Sequence, residues 1–184
     1  GGVLNLVRRL VELNCNANMI PENAIISDES VTTGRRFFSD TYGSNPHSWI
    51  QVTGGAIGCG LPLATGAAIA CPDRPVIALE ADGSGMYTLQ ALWTQAREGS
   101  NVTNLIFSNR KYQILLSEMA GVGVKNPGPK AMDMMELDRP ALDWVALAKG
   151  MGVEGGIATD AEELVKQMER GLSCEGPYLV EVIL

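Results

Sequence analysis

The chain has 184 residues, of which 46% are hydrophobic and 19% charged, and its formal net charge is −7. This length suits one domain with its own core, and the composition is that of a globular protein rather than a disordered one. The acidic balance and the lack of a basic tract argue against a nucleic-acid partner, and no apolar run approaches the roughly 20 residues that a membrane-spanning helix needs.

Helix-period stretches alternate with strand-length apolar runs along the chain. A helix is predicted over 3–18, and further helices are predicted over 58–71, 87–98, 112–120, 142–149 and 161–171. Strands are predicted over 24–27, 75–79, 102–107, 153–158 and 178–184. Continuous apolar strands, each followed by a helix, are typical of a parallel sheet covered on both faces. We therefore predict an α/β fold with an open, mostly parallel sheet of about six strands and helices on both faces.

Several features outside these elements predict no chemistry of their own. The segment 121–139, rich in Gly, Pro and Met, is expected to be a surface loop or a lid. His47, the only histidine, is expected to be a solvated loop residue. The four cysteines lie far apart without a CxxC pair, which argues against a zinc site and favours reduced thiols in a cytoplasmic protein.

Polar residues follow two of the predicted strands. Asp82 comes at the end of the strand over 75–79 and precedes Gly83-Ser84-Gly85, a glycine-rich turn whose N–H groups could approach a phosphate. Asn109 follows the strand over 102–107 and offers an amide oxygen. Either residue alone would usually be an ordinary turn residue. Because ligands bind beyond the carboxyl ends of parallel strands, the pair predicts a site for magnesium and phosphate.

The spacing of these residues resembles a known fingerprint. Asn109 lies 27 positions after Asp82, and the segment Ala81 to Ser84 together with Asn109 resembles the Gly-Asp-Gly…Asn-Asn motif of thiamine diphosphate enzymes. The sequence departs from that motif at Ala81, where the family has glycine, and at Arg110, so that only Ser108-Asn109 marks the asparagine pair.

Two further segments resemble parts of the same family. The run from Gly54 to Pro62 is similar to the segment that holds the aminopyrimidine ring, and its glycine order does not fit a dinucleotide-binding loop. By match, the Gly55 carbonyl would accept from the amino group of the cofactor, and Ile57 would wedge between its two rings. The run 28–33 resembles a diphosphate-contacting turn that includes Thr32, although an N-cap for the next helix is an equally good interpretation.

The resemblance implies thiamine diphosphate and Mg²⁺ as cofactors. The implied metal ligands are Asp82, Asn109 and the carbonyl of Lys111. The implied contacts to the diphosphate are Thr32, Gly83, Ser84, Tyr112, Gln113 and Ile114.

The resemblance also implies an activity and partners. It is closest to acetolactate synthase large subunits, which predicts an enzyme that decarboxylates a small-molecule 2-keto acid or joins it to a second carbonyl compound. No catalytic residue is expected in this chain, because the glutamate that activates the cofactor would belong to a pyrimidine-binding domain on a partner subunit. Glu29 and Glu118 lie in the wrong segments to replace it.

We therefore expect residues 1–184 to be a single domain from a three-domain, cytoplasmic enzyme that forms homodimers or homotetramers. Two alternatives stay open. The chain could be a separate subunit of a split 2-keto acid decarboxylase, or a non-catalytic domain that keeps the fold without the cofactor. The sequence does not identify the 2-keto acid.

Overall fold

A computed structural model describes residues 19–184, so the helix predicted over 3–18 lies outside the described residues. The strands are β1 Ile25–Glu29, β2 Ser48–Gln51, β3 Val76–Ala81, β4 Val102–Ser108, β5 Glu154–Ala158 and β6 Tyr178–Ile183. The helices are α1 Phe37–Asp40, α2 Gly60–Ala70, α3 Asp82–Gly85, α4 Ala91–Glu98, α5 Gln113–Gly121, α6 Pro129–Asp133, α7 Trp144–Gly150 and α8 Ala161–Ser173. None of the helices in the described part of the chain has the length and apolar character to cross a membrane.

The six strands form one sheet in the order β2-β1-β3-β4-β6-β5, and every pair is parallel. The predicted open parallel sheet is thus confirmed. Strands β3 and β4 are neighbours near its centre, with Ala81 in register with Phe107. The residues that follow these two strands therefore emerge side by side at one edge of the sheet, which is where Asp82 and Asn109 lie.

Both faces of the sheet are covered by helices, as predicted. Alternate residues of a strand point to opposite faces. In β3, Ile77 and Leu79 join one buried cluster, whereas Val76 and Ala78 join another. Helix α8 packs on the first face, and helices α2, α4 and α7 pack on the second. This two-sided burial explains why the strands are continuous apolar runs.

Some predicted boundaries were wrong. Strand β2 was not predicted, because it is a four-residue edge strand with half-exposed side chains and no apolar run. Helix α4 begins at Ala91 rather than at 87, since Tyr87 and Thr88 form turn hydrogen bonds back to Ser84 and Gly85.

The predicted surface loop over 121–139 is also partly ordered into secondary structure. It contains helix α6, which begins at Pro129, and Glu136 forms a bridge with Lys111. Whether the segment acts as a lid stays a prediction. Helix α8 is capped by Asp160, whose carboxylate accepts from the Glu163 N–H at 2.8 Å.

Two glycines of helix α2 provide a matched test of the packing. A Cβ at Gly60 would lie 2.4 Å from Glu80 Oε2 and 2.7 Å from Glu29 Cβ, whereas a Cβ at Gly66 meets nothing within 4 Å. We expect Gly60→Ala to lower the free energy of unfolding by about 1–3 kcal/mol through overpacking. Gly66→Ala is expected to raise it by about 0.5–1 kcal/mol, because alanine favours helix. Urea unfolding of both variants measures the difference, and equal effects would contradict the close contact at Gly60.

Candidate functional site

The ends of strands β3 and β4 meet in a corner organised by Asp82. Its side chain is 1% exposed, and its Oδ2 accepts from the Arg110 N–H at 2.7 Å while its Oδ1 accepts from the Gly83 N–H at 2.9 Å. Asn109 Oδ1 accepts from the Lys111 N–H at 2.9 Å. Since Arg110 lies between Asn109 and Lys111, its bond to Asp82 brings all three predicted metal ligands to one corner of the sheet.

Burial raises the pKa of the Asp82 carboxyl. Desolvation raises its pKa from 3.8 to about 6, although the N–H groups of Arg110 and Gly83 oppose that shift. The nearby Glu181 raises the pKa slightly further. A cation beside a carboxylate favours its charged form, so a bound metal would relieve this cost.

The donor set suits a hard cation with few protein carboxylates. Within residues 19–184, no group of three or more His, Cys, Asp or Glu side chains is arranged to hold a metal ion. One carboxylate, one amide oxygen and one carbonyl leave the remaining positions to phosphate oxygens and water, which is how Mg²⁺ is commonly bound.

A cavity opens beside this corner, and it brings together ten of the eleven predicted site residues. These are Thr32, Ile57, Asp82, Gly83, Ser84, Asn109, Lys111, Tyr112, Gln113 and Ile114. Gly55, the eleventh, is not among the lining residues. Four other residues line the cavity: Val31 and Ala81, which lie within the motifs identified in the sequence, and Tyr87 and Leu115, which the sequence did not single out.

The hydrogen bonds limit which atoms of these residues can face a ligand. The Tyr112 N–H donates to the Met135 carbonyl at 2.8 Å, so it is not available to a diphosphate. The Ser84 hydroxyl donates inward to the Glu80 carboxyl, which leaves its main-chain N–H. Helix α5 begins at Gln113, and the N–H groups of a first helical turn have no acceptor within the helix. Gln113 and Ile114 thus keep the anion-binding potential predicted for this turn.

The glycine-rich loop 54–60 borders the cavity through Ile57. This side chain is 40% exposed, which is unusual for isoleucine and leaves an apolar surface facing the cavity. Gly54, Gly55 and Gly58 have φ values of +63°, +69° and +93°, a conformation that favours glycine. The Gly55 carbonyl accepts from the Ile57 N–H at 2.9 Å and, with two lone pairs, could still accept a second donor.

The turn that contains Thr32 borders the cavity from the other side. It is closed by Ser30, whose N–H and hydroxyl both donate to Asp28 Oδ1, and by the Thr33 N–H, which donates to the Ser30 carbonyl at 3.1 Å. The alternative interpretation as an N-cap is wrong, because helix α1 begins at Phe37 after Arg36 and has no side-chain cap.

His47 lies outside the cavity. Its Nδ1 contacts the Asn45 carbonyl at 2.7 Å and its ring packs near Trp49. These partners of His47 lie in or beside the edge strand β2, away from Asp82.

The sequence did not predict the buried carboxyls of Glu29 and Glu80, which are 1% and 0% exposed. Glu29 accepts from the N–H groups of Gly58 and Gly60 at 2.6 and 2.5 Å. Burial raises the pKa of Glu80 well above its usual range, and the charge of the neighbouring Glu29 is the second largest cause of this rise. The available signal was the acidic end of the buried strand β1, Asp28-Glu29, and the single acid Glu80 within the otherwise apolar strand β3.

The raised pKa of Asp82 predicts how the stability of the metal-free protein depends on pH. The folded state takes up a proton near pH 6, whereas the unfolded chain does so near 3.8. The free energy of unfolding should therefore rise as the pH falls from about 7 to 4, by up to about 3 kcal/mol from this group. Urea unfolding in EDTA should detect this rise in the wild type and a smaller one in Asp82→Asn, and parallel pH profiles would contradict it.

Comparisons with known proteins match this chain to one family of domains. A protein-family model described as "Thiamine pyrophosphate enzyme, C-terminal TPP binding domain" matches residues 33–182; TPP is another name for thiamine diphosphate. The IlvX protein of Mycobacterium tuberculosis, described as an acetolactate synthase large subunit, is 46% identical over 167 residues, 90% of this chain and 32% of that protein. Benzoylformate decarboxylase of Pseudomonas aeruginosa is 35% identical over 164 residues, 89% of this chain and 30% of that enzyme.

A solved structure has the same fold. The thiamine diphosphate-dependent 4-hydroxybenzoylformate decarboxylase of Rhodococcus jostii superimposes with a TM-score of 0.77 at 28% identity, over 95% of this chain and 31% of that one. The chain thus spans about a third of the length of the relatives it matches.

Proposed function

Since the chain belongs to the family of C-terminal TPP-binding domains of thiamine pyrophosphate enzymes, we propose that it forms the magnesium- and diphosphate-binding part of the active site of a 2-keto acid enzyme. The observation that supports this most directly is the buried carboxylate of Asp82, bonded to the Arg110 N–H between Asn109 and Lys111. A buried acid at this edge of a parallel sheet is costly unless a cation neutralises it.

The residues of the cavity fit the cofactor. Asp82, Asn109 and the Lys111 carbonyl would hold Mg²⁺, and the metal would neutralise the diphosphate. The main-chain N–H groups of Gln113 and Ile114 at the start of helix α5 would bind phosphate oxygens.

Gly83 and Ser84 would add main-chain contacts on the opposite side of the diphosphate. Gly83 must lack a side chain, because a Cβ there would lie 2.8 Å from the Tyr112 ring. Thr32 would contribute from the turn after strand β1. Ile57 would support the bend between the two rings, and the Gly55 carbonyl would accept from the amino group of the pyrimidine.

When bound, thiamine diphosphate supplies the electron sink that a 2-keto acid needs to lose CO₂. The contribution of this chain is placement and charge neutralisation. The cavity contains a single carboxylate among the described residues, that of Asp82, so the acid that activates the pyrimidine would come from another domain on a partner subunit.

We further propose that the whole protein resembles acetolactate synthase in its reaction, as a cytoplasmic homodimer or homotetramer. The identity of 46% to a protein described as an acetolactate synthase large subunit, against 35% to a benzoylformate decarboxylase, favours an aliphatic 2-keto acid such as pyruvate over an aromatic one. Purified full-length protein should form acetolactate from pyruvate faster than it forms benzaldehyde from benzoylformate. The reverse ranking would contradict the substrate proposal without affecting the cofactor site.

The cofactor proposal is tested by calorimetric titration of the full-length protein with thiamine diphosphate. We expect saturable binding in Mg²⁺ and none in EDTA, because the diphosphate is held through the metal. A protein that binds no cofactor in Mg²⁺ would be the non-catalytic alternative. A protein that copurifies with a second short chain would be the split decarboxylase.

A further inference from the structure

We propose that Glu29 is a positioning residue for the pyrimidine side of the cofactor, because its carboxylate fixes the loop 54–60 and thereby the place of Ile57. This inference rests on the proposed function and deepens it. It assigns a role to a buried acid that is not part of the predicted metal corner (Asp82, Asn109 and Lys111) and does not itself line the cavity.

The Glu29 carboxyl group accepts hydrogen bonds from the main-chain N–H groups of Gly58 and Gly60, and we call this pair of bonds the clamp. Glu29 ends strand β1 and is 1% exposed, and its two oxygens accept separately from the N–H groups of Gly58 and Gly60. Both bonds are short, at 2.6 and 2.5 Å. Gly58 directly follows Ile57, so the clamp begins at the peptide group next to the side chain that borders the cavity.

The same two residues are also held through their carbonyls. The Thr88 hydroxyl donates to the Gly58 carbonyl at 2.8 Å, and the Ser27 hydroxyl donates to the Gly60 carbonyl at 2.9 Å. Gly58 and Gly60 are therefore each bonded through both the main-chain N–H and the main-chain carbonyl. Only the Glu29 bonds are to an acid, and only they join the two residues to a single side chain.

Packing leaves the clamped residues little freedom. A Cβ at Gly58 would lie 2.8 Å from Tyr87 Cβ, and a Cβ at Gly60 would lie 2.7 Å from Glu29 Cβ. By contrast, a Cβ at Gly54 or Gly55 would meet nothing within 4 Å. The loop thus has a fixed end at 58–60 and an open end at 54–55, and Ile57 lies at the boundary between them.

The variant Glu29→Gln tests this role. Glutamine keeps the shape, but its NH₂ group would face one of the two N–H groups, so one bond of the clamp is replaced by a repulsive contact. In the full-length protein with Mg²⁺, we expect affinity for thiamine diphosphate to fall at least about tenfold. Affinity for inorganic pyrophosphate should change less than about twofold, because that ligand contacts the metal corner and not Ile57.

Two other variants make the comparison specific. Asp82→Ala should weaken binding of both thiamine diphosphate and pyrophosphate, because it removes a side chain that would hold the metal. Glu163→Gln should weaken neither, although Glu163 also accepts from a backbone N–H, that of Thr159 at 2.8 Å, far from the cavity. If Glu29→Gln does not fold, Glu29→Asp supplies the same comparison, since its side chain is one CH₂ shorter and its carboxylate no longer reaches the two N–H groups.

Hydrogen exchange of the cofactor-free protein measures the clamp directly. The amides of a peptide covering 57–61 should exchange faster in Glu29→Gln than in the wild type or in Glu163→Gln. The positioning role would be overturned if Glu29→Gln lost affinity for both ligands equally. It would also be overturned if the affinity for thiamine diphosphate and the rate of hydrogen exchange were unchanged. Failure of the proposed function is a different result, in which the wild type binds neither ligand, and it would overturn the positioning role as well.

Discussion

The variant Asp82→Ala is expected to lose binding of thiamine diphosphate in the presence of Mg²⁺, with a fall in affinity of at least about 100-fold. Asp82 would be the only charged protein ligand of the metal, and its carboxylate also fixes the Arg110 peptide group at 2.7 Å. Loss of a residue that merely supports a metal ligand typically costs 10–100-fold in affinity, so loss of the ligand itself should cost at least about as much.

Calorimetry on the full-length protein measures this effect, and a second acid provides the control. Asp160→Ala removes the exposed N-cap of helix α8, whose carboxylate accepts from the Glu163 N–H at 2.8 Å and does not line the cavity. It should lower the free energy of unfolding by about 1 kcal/mol and leave cofactor affinity unchanged. An Asp82→Ala protein that still binds the cofactor within about threefold of the wild type would mean that the metal is held elsewhere.

A chain of residues 1–184 on its own is expected to release no CO₂ from pyruvate above the uncatalysed background. The cofactor needs an acid at its pyrimidine ring, and Asp82 is the only carboxylate lining the cavity in the described residues. Glu29 and Glu80 lie next to lining segments in the sequence but do not line the cavity: both oxygens of Glu29 accept from Gly58 and Gly60, and Glu80 accepts from the Ser84 hydroxyl. Glu118 is exposed on helix α5 and does not line the cavity.

A coupled or radiometric assay of the isolated chain tests this expectation. The control is binding of Mg²⁺ and pyrophosphate by the same preparation, which establishes that the metal corner is folded. Turnover by the isolated chain would place the activating acid within it and defeat the prediction. Turnover that appears only when a second short chain is added would identify the split decarboxylase.

The meeting of Asp82 and Asn109 at one edge of the sheet could be predicted from the sequence because two simple rules determine it. Strands β3 and β4 are mostly apolar and buried on both faces, and a parallel sheet gathers their carboxyl ends at one edge. Asp82 and Asn109 each follow such a strand directly. Their proximity then depends only on the two strands being neighbours, which βαβ connections favour.

The features that could not be predicted depend on contacts between distant segments. The clamp joins Glu29 to residues 29 and 31 positions away, through a loop whose path no local pattern specifies. The Tyr112 N–H is taken by the Met135 carbonyl from a segment that was expected to be a loop. Strand β2 has too few buried side chains to produce a periodic signal. Each of these depends on tertiary packing rather than on local preference.

The burial of Asp82 has a consequence for the stability of the protein inside a cell. With no cation beside it, an acid that is 1% exposed with a pKa near 6 weakens the fold at neutral pH. Bound Mg²⁺ would remove that cost, so a protein that holds the proposed cofactor would resist unfolding better when the vitamin is abundant than when it is scarce.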